Sequence, residues 1–394
     1  DNVHPTGAPL RVLVAHNRYQ QRGGEDSVAE AEVALLQSHG HPVALYTRDN
    51  HDIETMARVD AATQTFWSKR TTSDISRLIR EFRPDVVHVH NTFPLISPSI
   101  YWTAHRHRVP IVQTLHNFRL VCPQALMLRE DRPCEDCVGK LPWRGVQHAC
   151  YRQSRLQTGL LAGMLTVHRA IGTWQDKVTR YIALNAFCRD RFIAGGLPAD
   201  RLRIKPNFVD LPAPDDAPRS GFLFVGRLSA EKGIGVLADA CNTAALTQAI
   251  RVAGTGPELD RIRQATGATL LGALAPDAVY AEMRKASALV LPSICYENFP
   301  RTLVEAYACG LPVIASRLGG MASLVIDGKT GLLFEPGNSR DLADKMAWFE
   351  QNPAAARAMG QAARAQYEQE LTGAANYRQL KAIYDDAIAA VRSA

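Results

Sequence analysis

The chain has 394 residues, more than one compact core usually organises, so two domains are expected. Hydrophobic residues are 46% and charged residues 21%, which excludes a disordered chain, and a net charge of +6 is small for a nucleic-acid binder. No stretch approaches the roughly 18 uncharged apolar residues of a membrane-spanning helix, and residues 1–9 lack a signal-peptide pattern, so the expected compartment is the cytoplasm.

Short apolar runs alternate with amphipathic stretches, the pattern of helices crossing over a parallel sheet. In the first half strands are expected at Arg11–His16, Val43–Thr47, Asp85–His90, Pro110–Leu115 and Tyr181–Leu184. Helices are expected at Asp26–His39 and at Ser73–Phe82, the second opening on a capping Ser73 and ending before Pro84. Residues 206–219 carry four prolines and no helical period, and read as a linker. The pattern then restarts, with strands expected at Phe222–Val225, Ile250–Ala253, Thr269–Leu271, Ala288–Leu291 and Pro312–Ala315. Between them helices are expected at Glu231–Cys241, Pro257–Gln264, Asp277–Lys285 and Arg301–Cys309, and further helices from Asp341 onward. The organisation is therefore two doubly wound, Rossmann-like α/β domains facing across a cleft, with ligands at the carboxyl ends of the strands. The expected boundaries are 1–206, including a cysteine-rich insertion at 122–150, then 207–375, then a helix at 376–394 packing back on the first domain.

Three motifs carry chemistry. Pro292 to Ala315, PSICYENFPRTLVEAYACGLPVIA, places Glu297 on a loop after a strand and Glu305 in the following helix. The amides at that helix start, at Arg301, Thr302 and Leu303, make an anion site, and two carboxylates eight residues apart can grip two hydroxylated parts of one ligand. Phe224 to Gly233, FVGRLSAEKG, offers Arg227 and Lys232 to adjacent phosphate charges beside a turn at Gly226. Gly23-Gly24-Glu25, after the first strand, lets backbone N–H groups approach a phosphate at the positive end of a helix. Taken singly, each of these reads more readily as an ordinary loop with solvated charges.

In combination the motifs resemble the signature of retaining glycosyltransferases of family 4, which have the GT-B fold: Pro-Ser, then Glu, seven residues, Glu-Ala, Cys-Gly and Pro-Val. The resemblance covers nearly the whole chain. It implies transfer of a sugar from a UDP- or GDP-sugar to an acceptor hydroxyl, the acceptor attacking on the face the leaving group departs from. It further implies that Arg227, Lys232 and the 301–303 amides hold the diphosphate, Glu305 the ribose, and Glu297 and His116 the donor sugar. Gly23, Gly24 and Gly226 would stand near the diphosphate, Asn298 and Phe299 in the donor loop, and Gly254, Gly256 and Leu271 around the nucleotide. No catalytic cofactor is expected, since no Asp-x-Asp pair stands at a strand end and Asp215-Asp216 falls in the linker. The sequence departs from the common Glu-Gly-Phe-Gly by reading Glu297-Asn298-Phe299-Pro300, and proline has no N–H to offer a sugar. A sugar-nucleotide epimerase or glycoside phosphorylase on the same fold, or a catalytically silent nucleotide-sugar-binding protein, remain alternatives.

Two further features stand apart. Cys122, Cys134, Cys137 and Cys150 include one Cys-x-x-Cys knuckle, which reads as a structural zinc site or as reduced thiols. Residues 100–180 carry 12 basic against 5 acidic residues, with Trp143 and Trp174 flanking the apolar Leu156, Leu160, Leu161, Met164 and Leu165. That stretch is either a peripheral contact with the inner face of an anionic membrane, suited to a lipid-linked or envelope glycan acceptor, or plain core with arginines around it.

Overall fold

The computed structural model describes residues 8–18, 23–214, 217–243 and 246–393. Two six-stranded parallel sheets dominate it. The first contains β1 (Val12–Arg18), β2 (Val43–Asp49), β3 (Val86–Asn91) and β4 (Ile111–Thr114), then, after a separate antiparallel hairpin of β5 (Leu128–Arg129) and β6 (Arg132–Pro133), β7 (Arg180–Ala183) and β8 (Leu202–Ile204). The second contains β9 (Phe222–Val225), β10 (Ile250–Ala253), β11 (Ala268–Gly272), β12 (Ala288–Leu291), β13 (Val313–Ser316) and β14 (Gly331–Phe334). Strand order is β2-β1-β3-β4-β7-β8 in the first and β11-β10-β9-β12-β13-β14 in the second. Winding therefore reverses between β1 and β3 and between β9 and β12, and the loops leaving these strands open the two crevices where ligands sit in such sheets.

The expected strands stand within two residues of those observed; β8 and β14 were not anticipated, being edge strands too short to display a period. Two helices differ from expectation. The second runs Lys69–Phe82, because Ser68 rather than Ser73 caps it, its hydroxyl accepting the Thr71 N–H at 3.1 Å. The expected Glu231–Cys241 is a short turn, Ala230–Lys232, followed by a helix at Ile234–Thr243. Gly233 separates the two at φ 73°, and a Cβ there would lie 1.8 Å from the Pro292 carbonyl oxygen, so this junction admits only glycine. The described part of the 206–219 segment has neither helix nor strand; Asp215-Asp216 lies outside the described residues.

Alternating strand residues feed two cores in each domain. In the first, Leu13, Val87, Val89 and Tyr181 face helices on one side with Ile75, Tyr101 and Leu161. Val12, Val14, Val86 and Ile182 face the other, where Leu380, Ile383, Tyr384 and Ala387 of the last helix, Gly373–Arg392, complete the layer. Arg180 grips Asp386 of that helix through two bonds of 2.8 and 2.9 Å and Arg203 adds a third contact, holding its carboxyl down to about 2. The C-terminal sheet buries Leu223, Leu289 and Val313 on one face and Phe222, Val290 and Ile314 on the other.

The apolar stretch after the insertion resolves mostly into core. Leu161, Met164 and Leu165 are buried, and Trp174, expected as an interfacial anchor, is 3% exposed with its carbonyl bonded by the Tyr181 hydroxyl at 2.8 Å. Leu141, Trp143 and Leu156 of this region stand furthest out, Val167 and Ile171 are also exposed, and among the described residues no helix is long and apolar enough to cross a membrane.

Candidate active site

The C-terminal crevice is assembled from the loops that follow β9 and β12. Lys232, in the turn after β9, donates to Glu297 Oε1 at 2.5 Å, and Ser293 donates to the same oxygen at 2.8 Å. Burial alone would lower the Lys232 pKa, but the carboxylate beside it outweighs burial and holds it above the ordinary value. One helix turn further on, Arg301 Nε donates to Glu305 Oε1 at 2.9 Å, with the Tyr280 hydroxyl at 3.4 Å from the same oxygen. Burial raises the Glu305 pKa against the opposing pull of Arg301.

Of the three amides expected at this helix start, that of Leu303 is taken by the Pro300 carbonyl at 3.0 Å, and the Leu303 side chain is core. Arg301 and Thr302 remain as the amides of the first turn. Arg227 is exposed. Gly254 presses against the Gly226 carbonyl, where a Cβ would stand at 1.8 Å, so the loops after β9 and β10 meet backbone to backbone. Gly256 packs in the same way on Leu228, while Leu271 is half-buried at the end of β11.

The loop 297–300 is anchored to the other domain. Asn185 Nδ2 donates to the Asn298 carbonyl at 2.5 Å, and the Cys188 thiol lies 2.9 Å from Asn298 Oδ1, so Asn298 serves as a latch between domains. Phe299 is half-buried against the C-terminal core.

The N-terminal wall is a buried polar network. Gly23 caps the helix Gly24–Ser38, its N–H donating to Asp26 Oδ2 at 2.8 Å, while Asp26 Oδ1 meets His16 Nε2 at 2.7 Å. His116 follows β4, and its Nε2 lies 2.9 Å from His90 Nδ1. The second nitrogen of His90 is 3.5 Å from Glu32, whose other oxygen is bonded by the Lys205 ammonium. Lys205 also reaches Asn376, and His88 bonds Thr114 and the Tyr384 hydroxyl, so the last helix helps hold the network. Burial pushes His116 down and His88 and His90 well down. Burial would raise Glu32, but the Lys205 ammonium bonded to it holds its carboxyl below the ordinary value.

Between the domains lies a cleft of about 1080 Å³ that brings together Gly23, Gly24, Val225, Tyr280, Arg301 and Glu305. His116, Arg227, Lys232 and Glu297 are not in its lining. Sequence reasoning missed Glu32, His90, Lys205 and Asn185. One signal was available: His88 and His90 share a strand face, and Glu32 falls on the same helical stripe as the buried Val28 and Leu36.

Two sequence profiles together account for nearly all of the chain. The profile of Glycosyltransferase Family 4 matches residues 22–212. That of Glycosyl transferases group 1 matches 214–366. The chain belongs to glycosyltransferase family 4. Over 145 residues it is 36% identical to an uncharacterized glycosyltransferase of Methanocaldococcus jannaschii, covering 35% of this chain and 40% of that protein. Over 307 residues it is 27% identical to glycogen synthase of Mycobacterium tuberculosis, covering 72% of this chain and 64% of that one. The matches thus span less than two thirds of these relatives' lengths. The crystal structure of Anabaena HepE in complex with UDP-glucose is similar over 95% of this chain and all of its own, at 18% identity and a TM-score of 0.64. The GT-B fold is common to both. For this family member Pro300 is the residue capping the helix Arg301–Ala308, a position with no N–H to donate.

Proposed function

We propose that the protein is a retaining, metal-independent glycosyltransferase that moves a sugar from a UDP- or GDP-sugar to an acceptor hydroxyl. The observation that carries this reading is the pair of ion pairs, Lys232 with Glu297 and Arg301 with Glu305, at the carboxyl ends of β9 and β12. A diphosphate entering the crevice would draw the two cations onto its oxygens, releasing Glu297 to the sugar and Glu305 to the ribose. As the glycosidic bond breaks, the leaving diphosphate gains charge, and Lys232, Arg227 and the first amides of the helix stabilise it. His116, fixed by His90, would hold the donor sugar from the opposite wall. HepE supports a nucleoside diphosphate sugar as the donor class, since it is seen with UDP-glucose.

The acceptor is a glycan or a lipid-linked sugar of envelope or extracellular polysaccharide synthesis. Exposed Leu141, Trp143 and Leu156 beside exposed Arg144, Arg152 and Arg155 support contact with an anionic membrane surface, which vesicle sedimentation at low and high salt tests. The donor reading is tested by screening UDP-, GDP- and ADP-sugars for thermal stabilisation, then assaying the stabilising sugar for transfer. A ligand at about 100 times its dissociation constant stabilises by roughly 2.7 kcal/mol. Stabilisation with neither transfer nor hydrolysis would favour a silent binding protein; isomerised donor without acceptor would mark an epimerase.

A further inference from the structure

Between residues 117 and 154 the chain has little regular structure, only the β5–β6 hairpin and the short helix Trp143–Gln147. Among the described residues, seven of the ten non-glycine residues with positive φ lie here: Ala125, Met127, Glu130, Asp131, Ala149, Arg152 and Gln153, at φ between 50° and 71°. Left-handed backbone at such residues costs free energy and persists only where the surroundings over-determine it. Within this segment Cys122, Cys134, Cys137 and Cys150 line one small cavity of about 20 Å³, room for a single water-sized particle. Backbone N–H groups of Gln124 and Met127 stand near the Cys122 sulfur and that of Gly145 near Cys137, while the Ala125 N–H donates to the Cys122 carbonyl at 2.9 Å. Arg129 and Arg144 stand in the same wall, both paired with Asp136 there at 2.7 and 3.4 Å.

We propose that these four cysteines hold one structural zinc ion. Four thiolates around a divalent cation leave a net charge of −2, which nearby backbone N–H groups and the positive excess of Arg129 and Arg144 over Asp136 would offset. All eight cysteines are free thiols, so no disulfide occupies the site. The thiols line the cavity without three of their sulfurs coming within 4.8 Å of one another, so binding draws them inward. The cluster that does meet that spacing, Glu32 with His88 and His90, already contains a cation, because the Lys205 ammonium is bonded to Glu32 there.

The ion would also act on the crevice. Glu135, inside the Cys134–Cys137 knuckle, accepts from Arg191 at 2.6 Å and from the Tyr296 hydroxyl at 2.9 Å. Tyr296 immediately precedes Glu297, and its ring packs on Phe187 at 4.7 Å. A fixed knuckle therefore makes Glu135 a positioning residue for the donor loop. This consequence rests on the transferase reading; the metal content does not.

Metal analysis of protein purified without chelator should find about one zinc per chain, reduced by Cys134→Ser or Cys137→Ser and unchanged by Cys241→Ser in the other domain. Cobalt(II) in place of zinc should give the visible bands of a tetrahedral thiolate site. Less than about a tenth of an equivalent of metal in folded protein, with the four thiols alkylated equally fast before and after chelation, would overturn the proposal. Stoichiometric iron instead of zinc would overturn it as well. Glu135→Gln should keep the zinc and lower turnover about tenfold at unchanged nucleotide affinity. Full turnover in that variant would remove the positioning role while leaving the metal to its own test.

Discussion

On the N-terminal side of the cleft the polar residues are buried and close-packed, His116 bonded to His90 and Lys205 to Glu32 with His90 3.5 Å from Glu32, every one of them at most 9% exposed. On the C-terminal side the cations face water, with the Lys232 side chain 33% and that of Arg301 42% exposed, each resting on a carboxylate. A buried network is set before any ligand arrives, because breaking it strands a charge in a low-dielectric interior. A cation that reaches water can pass from its carboxylate to a phosphate when the ligand's hydroxyls bond the carboxylate it leaves. One wall is thus rigid and shape-giving, the other an exchangeable charge reservoir, although both are parallel sheets of the same size.

The largest test of that contrast is to break the buried pair. Lys205→Met leaves Glu32 unpaired at 1% exposure and should destabilise the protein by about 3–5 kcal/mol, read as a fall in denaturant midpoint. A loss below about 1 kcal/mol would mean that the N-terminal wall is no more rigid than a surface ion pair. Next come Arg227→Ala and Lys232→Ala, each expected to lower turnover on the order of a hundredfold with stability nearly unchanged. Near-wild-type rates for both would show that the diphosphate is held elsewhere.

A smaller effect separates the walls by pH. His88, His90 and His116 have folded pKa values below their ordinary 6.5, so below that value the unfolded chain binds more protons and stability falls as pH falls. Each contributes up to about 1.4 kcal/mol per pH unit until it protonates in the folded state. All 12 histidines lie at or before His168, so hydrogen exchange at mildly acid pH should quicken in the N-terminal sheet first. Asp386 acts lower: its pKa, depressed from 3.8 to about 2, adds stability that is lost only as pH falls through that interval. Equal acid sensitivity of the two sheets would contradict the contrast.

The strand pattern, the doubled α/β architecture and the family motifs were all readable from local residue order. Apolar runs of four to seven residues with helical stretches between them admit few other arrangements, and the glycine, arginine and glutamate spacings are local chain properties. Trp174 illustrates the limit: a tryptophan beside basic residues suits an interface equally well, and only its packing against Tyr101 and the Tyr181 hydroxyl bond make it core. Ser68 outcompeted Ser73 as a helix cap for a similar reason, since its N–H is also held by Ser97, 29 residues away.

What the amino-acid order by itself determined was the period of each element and the chemistry available at each loop. What only the tertiary structure decided was which distant groups meet: Lys205 with Glu32, His116 with His90, Asn185 with the Asn298 carbonyl, and Glu135 with Tyr296. Those partners are separated by between 26 and 173 residues, and no local pattern encodes a contact whose free energy is realised only when two domains and a returning helix exclude water together.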